Sequence, residues 1–181
     1  MKTPDDSQLV QMLQDPGQRR RGFELMVDKY KARLYWQIRH LVVYHDDADD
    51  ILQDTFVKAW TNLDKFRGES KLSTWLYRIA TNENLSFLQQ QRTTVDIDTP
   101  DTDQTLQLEG DAYFDGDETE QMLQQAVASL PDKQRVVFIM KYFQEMKYEE
   151  MSDILQTSVG ALKASYHIAA QKIEEYFHEH D

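Results

Sequence analysis

The chain has 181 residues, 40% of them hydrophobic, which suits one packed domain or two small ones. It holds no cysteine, which excludes disulfides and thiolate chemistry, and no run of about 18 apolar residues, which excludes a transmembrane helix. The formal charge of −12 argues against a nucleic-acid partner only until its distribution is followed: residues 1–92 hold 14 basic and 13 acidic side chains, residues 93–118 hold no basic and nine acidic ones, and residues 130–181 hold six and nine.

In chain order, Met1 to Val10 carries acids and no apolar stretch, so no secretory signal is expected, and a reducing cytoplasm fits the absence of cysteine. Ser7 is the expected cap of a short helix with Leu9, Val10, Met12 and Leu13, ended by Asp15-Pro16-Gly17. A long helix is expected from about Gln18 to Tyr44. Phe23, Met26, Val27, Tyr30, Leu34, Ile38, Leu41 and Val42 form its stripe, and Arg19, Arg20, Arg21, Lys29, Lys31, Arg33 and Arg39 decorate the remainder. Asp46 or Asp47 is the expected N-cap of the next helix. There Ala48, Ile51, Leu52, Thr55, Phe56, Ala59, Trp60 and Leu63 keep one unbroken stripe, opposite Asp49, Asp50, Gln53, Asp54 and Lys58. The loop Phe66-Arg67-Gly68-Glu69-Ser70 leads to a helix ending near Arg92, with Leu72, Trp75, Leu76, Ile79 and Ala80 inward and Arg78, Asn82, Asn84 and Gln89 off that stripe. An acidic helix and a basic-aromatic one are thus joined by a short loop, which implies two different partners.

Residues 93–118 read as an acidic linker with Pro100, Gly110 and Gly116, and with Val95, Ile97, Leu106, Leu108, Tyr113 and Phe114 as isolated anchors. From about Glu118 the pattern is helical again. Met122, Leu123, Ala126 and Val127 form one stripe, Leu130-Pro131 punctuates, and Val136, Val137, Ile139, Met140 and Phe143 form the next. Tyr148 to Gln156, a turn at Thr157-Ser158 and a helix from about Val159 to His178 describe a helix-turn-helix, with Ser158 or Thr157 as its cap. The expected fold is all-α: two small helical domains, 1–92 and 119–181, joined by the linker 93–118, the second a helix-turn-helix.

The chemistry is sparse. Asp46-Asp47-Ala48-Asp49-Asp50 has the spacing of an aspartate-rich magnesium motif, but the second facing cluster and the long helical bundle such an enzyme needs are missing. An acidic, capped helix start that complements the helix dipole is the reading preferred for the run. His40, His45, His167, His178 and His180 show no metal-ligand spacing, and neither a nucleophile elbow nor a Gly-rich phosphate loop occurs. No enzyme, metal or cofactor is expected. Phe56, Trp60, Trp75 and Leu76 lie on stripes and are expected to pack in the core. The loop Lys65–Ser73 is different: Arg67 and Lys71 flank Gly68, Glu69 and Ser70, a set of donors able to hold an unstacked base. In the last helix Ser158, Gly160, Ala161, Lys163, Ala164, Ser165 and His167 are small or basic enough to approach a DNA groove, with Lys163, His167 and Lys172 for phosphates. A helical hairpin for protein contact is the alternative.

Taken together, these parts resemble a bacterial RNA polymerase sigma factor of the extracytoplasmic-function (ECF) group. The resemblance rests on Asp47-Ala48-Asp49-Asp50-Ile51-Leu52-Gln53-Asp54-Thr55-Phe56-Val57-Lys58-Ala59-Trp60, on Phe66-Arg67-Gly68-Glu69-Ser70 with Thr74-Trp75-Leu76-Tyr77-Arg78-Ile79-Ala80-Thr81-Asn82, and on Leu130-Pro131-Asp132-Lys133-Gln134-Arg135 with Tyr148-Glu149-Glu150-Met151 and Ser158-Val159-Gly160-Ala161-Leu162-Lys163. It implies that Asp49, Asp50, Gln53, Asp54 and Phe56 dock on the β′ coiled coil of core polymerase. It implies that Lys65, Arg67, Gly68, Glu69, Ser70, Lys71, Ser73, Trp75, Arg78 and Asn82 melt and read the −10 element. The last helix, from Ser158 to His167, would read the −35 element; further implied partners are the β flap and an anti-sigma factor, often a membrane-anchored one. The chain departs from many relatives in its base-poor recognition helix (Ser165, Ile168, Ala170, Gln171), in Gln156 where a glycine is usual, and in Lys147 where a serine cap is usual.

Overall fold

The computed structural model describes residues 2–42, 44–98 and 117–180, with residues 93–98 by backbone alone. The described residues form helices α1 (Asp6–Gln14), α2 (Arg19–Leu41), α3 (His45–Thr61), α4 (Leu72–Asp98), α5 (Glu118–Ala128), α6 (Asp132–Tyr142), α7 (Tyr148–Leu155) and α8 (Val159–Glu179), with a 3-10 turn at Leu63–Lys65. No strand occurs among the described residues, and no helix there is long and apolar enough to cross a membrane. Residues 99–116 of the expected linker lie outside the described residues, with its anchors Leu106, Leu108, Tyr113 and Phe114, as do the side chains of Val95 and Ile97.

The first four helices pack around their stripes. Met26, Leu34 and Ile38 of α2, Ala48 and Ala59 of α3, and Leu76 and Ala80 of α4 are fully buried. Burying such side chains supplies the main stabilisation, about 1.5–3 kcal/mol for each large one. A polar strip crosses this core: Gln37 Nε2 donates to Thr81 Oγ1 at 3.3 Å, and Asn84 is buried one turn further on. In the C-terminal four helices the residues Val136 to Met140 of α6 are all buried, with Ala126, Val127, Met151 and Leu162 around them.

Several local expectations are corrected. The cap of α1 is Asp5, not Ser7: Asp5 Oδ1 accepts from the Gln8 amide at 2.9 Å while Gln8 Oε1 accepts from the Asp5 amide at 3.0 Å, a reciprocal capping box that Ser7 cannot make from inside the helix. Helix α2 stops at Leu41, because Val42 is extended and closes the helix through its amide. Arg39, expected on the surface, is buried, its Nη1 donating to the Val42 carbonyl at 2.9 Å and satisfying the helix end. Helix α3 begins at His45 with Tyr44 as a cap lacking any side-chain bond, so neither Asp46 nor Asp47 caps it. Trp60 is 46% exposed despite its place on the stripe. Its ring meets that of Phe23 in an edge-to-face arrangement with centres 5.1 Å apart. Helix α4 runs six residues past Arg92, to Asp98. Ser158 is the cap of α8, accepting from the Ala161 amide at 3.2 Å.

The two groups of helices meet along a seam of α4 against α7 and of α2 and α4 against α6. Arg135 reaches three carbonyls there, those of Ala128 (2.6 Å), Leu130 (3.2 Å) and Leu41 (3.4 Å), and Arg92 pairs with Asp132. His40 of α2 stacks on Phe143 at 4.0 Å. Burial, and then the charge of Arg39, lower the His40 pKa from 6.5 to about 4. The unfolded chain therefore takes up this proton first, so the seam's stability is complete above pH 6.5 and is lost as pH falls toward about 4. We expect thermal unfolding to shift down by several degrees between about pH 7.5 and about pH 5, and to shift less in His40→Leu. An equal shift in both proteins counts against the assignment.

Candidate functional site

The acidic face of α3 follows from helix geometry. Asp50, Gln53 and Asp54 are exposed and Asp49 half-buried. Asp49 is held in place: the Tyr35 hydroxyl bonds to His45 Nδ1, which leaves Nε2 to donate to Asp49 Oδ2 at 3.1 Å. Phe56 flanks the face and packs edge-on against Phe23 at 6.4 Å. Sequence reasoning missed the apolar centre of this surface. Val57 is 63% exposed and Trp60 46%, and both continue the row from Gln53 at i+4 and i+7. The signal was present in that spacing, but Trp60 also fits the core stripe, and Val57, off that stripe, stands alone among polar residues. Burial, with Asp50 and Asp46 nearby, raises the pKa of Asp47. Among the described residues no group of three His, Asp or Glu side chains converges to hold a metal ion.

The second face is built by the loop and α4. Gly68 takes φ +75°, a left-handed conformation that a side chain would strain. Lys65, Arg67, Gly68, Glu69 and Lys71 are exposed around it, while Ser70 and Ser73 are half-buried. Phe66 is buried and packs on Trp75 with ring centres 4.9 Å apart, which fixes the loop to α4. Lys71, Trp75, Arg78 and Asn82 follow at i, i+4, i+7 and i+11 and so share one face.

The third face, the start of α8, shows Ser158, Gly160, Ala161, Lys163, Ala164 and His167 exposed. Lys163 Nζ lies 5.7 Å from the centre of the Tyr148 ring. Ser165 is half-buried, for the structure brings the second and third faces together: Arg78, Asn82 and Ser165 line one cavity of about 260 Å³, with Lys133, Gln156 and Thr157. Arg78 Nε donates to the Asp153 carbonyl at 2.9 Å, tying α4 to the end of α7. Gln156, which follows, is left-handed at φ 52°. A glycine would take that turn without strain. A separate groove between α5, α6 and α8 is lined by Leu123, Phe138, Tyr142, Tyr166, Ile173 and Phe177, with Asp117, Glu120 and Glu174 on it.

Comparison with known proteins gives a consistent picture. Residues 26–94 match the family described as Sigma-70 region 2, and residues 120–173 match Sigma-70, region 4. The ECF RNA polymerase sigma factor SigW of Bacillus subtilis is 32% identical over 156 residues, 81% of this chain and 83% of the relative. The RNA polymerase sigma-H factor of Pseudomonas aeruginosa is 30% identical over 186 residues, 94% and 92% of the two chains. Among solved structures, CnrH in complex with the cytosolic domain of CnrY superposes with a TM-score of 0.70 at 22% identity, over 97% of this chain and 99% of that one. The sigma factor RpoE in complex with the anti-sigma factor NepR, from Bartonella quintana, gives 0.66 at 25% identity, over 86% and 96%.

The Arg78 tie is a bond to a single carbonyl, worth about 1.5–3 kcal/mol for a charged donor and less where exposed. In Arg78→Ala, amide hydrogen exchange in α7 should quicken roughly 3- to 10-fold while the core of α2 is unchanged. Unaltered exchange in α7 would show that the tie does not hold the seam.

Proposed function

The chain belongs to the ECF group of bacterial RNA polymerase sigma factors, and from that premise we propose which of its surfaces meets which partner. Sigma factors are transcription initiation factors, and this one recognises promoters for RNA polymerase. Residues 1–92 serve as the domain for core binding and −10 melting, residues 119–181 as the −35 domain, and residues 93–118 as the acidic linker between them. The acidic face of α3 is the site for the β′ coiled coil, with Asp49, Asp50, Gln53 and Asp54 around an apolar centre of Val57 and Trp60 and with Phe56 at its flank. Exposed aromatic side chains ringed by charge fit a binding hot spot. The groove between α5, α6 and α8 is assigned to the β flap.

The loop from Lys65 to Ser73, with Trp75, Arg78 and Asn82, captures the unstacked −10 base. The start of α8, from Ser158 to His167, reads the −35 element. The observation that carries this reading is the shared cavity of Arg78, Asn82 and Ser165. Elements centred at −35 and −10 are 25 base pairs apart, roughly 85 Å of duplex at about 3.4 Å per pair. Side chains that read both cannot stay in one cavity. The arrangement therefore describes the chain before it engages DNA, and polymerase must hold the two domains apart. Two solved structures of this fold are complexes, CnrH with the cytosolic domain of CnrY and the sigma factor RpoE with the anti-sigma factor NepR. An anti-sigma factor, membrane-anchored or free, is accordingly a proposed partner, and the cytoplasm the proposed location.

Run-off transcription from a genomic fragment library tests this. Wild type with core polymerase should give discrete transcripts, and Asp50→Arg with Gln53→Ala should abolish them by weakening core binding at least tenfold, as loss of central interface groups does. Trp60→Ala should weaken core binding by a similar factor. Promoter DNA should bind only when core is present. Transcripts unaffected by the double variant would overturn the α3 assignment, and stable core binding with no transcript would point to a polymerase-binding protein that has lost promoter reading.

A further inference from the structure

Helix α1 precedes the region 2 match, which begins at residue 26, and none of the assigned faces uses it. It is nonetheless firmly built. The Asp5–Gln8 capping box closes its start, and Leu9 and Leu13 are buried. Asp6 accepts from the Tyr30 hydroxyl at 2.6 Å and from Lys29 Nζ at 2.7 Å. Burial and the bond to Asp6 raise the Tyr30 pKa well above the ordinary phenol range. The crossing with α2 is close: a Cβ on Gly22 would lie 2.7 Å from the Met12 Cβ, so only glycine admits α1 at this depth.

The far end of α1 points at the base-capture loop. Arg19 donates through Nε to the Leu13 carbonyl at 3.0 Å and through Nη1 to Asp64 Oδ1 at 3.0 Å. One guanidinium thereby joins the last turn of α1 to the 3-10 turn that leads into the loop. A Cβ on Gly68, the left-handed residue of the loop, would lie 3.9 Å from Gln14 Nε2, the final residue of α1. The contact through Arg19 thus ties α1 to the entrance of the loop, and the end of α1 lies near the loop's tip.

We propose that α1, through Arg19, is a positioning element that holds the Phe66–Lys71 loop in the conformation that captures the −10 base. This rests on the assignment of that loop to base capture. A loop held in advance loses less conformational freedom when the base enters, so the brace acts on promoter opening and base discrimination and leaves polymerase affinity alone.

The test uses the full chain with core polymerase. It measures core affinity by anisotropy and promoter opening by 2-aminopurine fluorescence, on the matched −10 element and on single-base variants. Arg19→Ala should slow opening roughly 3- to 10-fold, the effect of a partly exposed ion pair plus one hydrogen bond, with core affinity within about twofold of wild type. Discrimination among −10 bases should fall in parallel. Asp64→Ala, which keeps the Leu13 bond, should show a smaller loss of the same kind, and it carries the test should Arg19→Ala fail to fold. The exchange Arg19→Asp with Asp64→Arg should recover part of the loss. Arg67→Ala is the control: if it leaves opening unchanged, the loop assignment itself fails. If Arg67→Ala slows opening while the Arg19 and Asp64 variants open and discriminate like wild type, the brace is overturned. A loss of core affinity equal to the loss of opening would also overturn it, as general damage to the fold.

Discussion

Helix α4 can give only one side to a partner, because Leu72, Leu76, Tyr77, Ala80 and Leu88 commit the other to the core. That division governs much of the molecule. The free side carries Trp75, Arg78 and Asn82 in register, and it must stay polar while lying beside an apolar stripe. In the structure this side is itself partly covered, by the end of α7 and the start of α8. The side of α4 proposed to meet nucleic acid thus meets its own chain first, and the polar chemistry that suits a phosphate or base edge suits a backbone carbonyl as well.

The seam that results is of a kind that can open. Its polar fastenings are guanidinium groups on carbonyls, the Arg92–Asp132 ion pair and a stacked imidazole, set beside apolar packing that joins the two groups. Contacts between domains of one chain generally resemble transient interfaces, and net hydrogen-bond contributions of about 0.5–1.5 kcal/mol are easily exceeded by a new interface of ordinary size. Each helical group also keeps its own buried centre, Leu34 and Leu76 in one and Ile139 and Met140 in the other. Separation therefore exposes the polar groups of the seam, which water can satisfy, together with the apolar side chains beside them, and leaves those two centres in place.

The helical periods made the order and type of the elements legible, and the places where reading failed share a cause. Trp60 fits a core stripe by spacing, yet the bundle ends before it is covered. Only the count of neighbouring helices, which spacing does not contain, decides this. Ser7, Asp46 and Asp47 are all good cap residues, and the actual choice depended on which backbone amide each could reach. Arg39 looked like surface charge because a helix end needing its carbonyl satisfied leaves no mark in the sequence. The three faces were legible as clusters of residue type, whereas the meeting of Arg78 with Ser165 was not. It depends on contacts between residues 75 or more apart, which no local pattern encodes.

Charge then separates the roles further. Lys65, Arg67, Lys71 and Arg78 give the loop and α4 a local excess of positive charge within an N-terminal part whose overall balance is near zero, while residues 130–181 carry more acids than bases. Phosphate contacts set most of the affinity for DNA, so a C-terminal helix-turn-helix proposed to read DNA with so few basic residues, Lys163 among them, is expected to bind weakly alone. Weak intrinsic affinity suits a reader delivered by a larger machine. Once polymerase tethers both domains over the promoter, the second contact forms at an effective concentration of millimolar order, and modest base contacts suffice. On the proposed assignment the same weakness keeps the free chain from occupying DNA by itself, and the closed seam reinforces that by engaging Arg78, whose guanidinium donates to the Asp153 carbonyl.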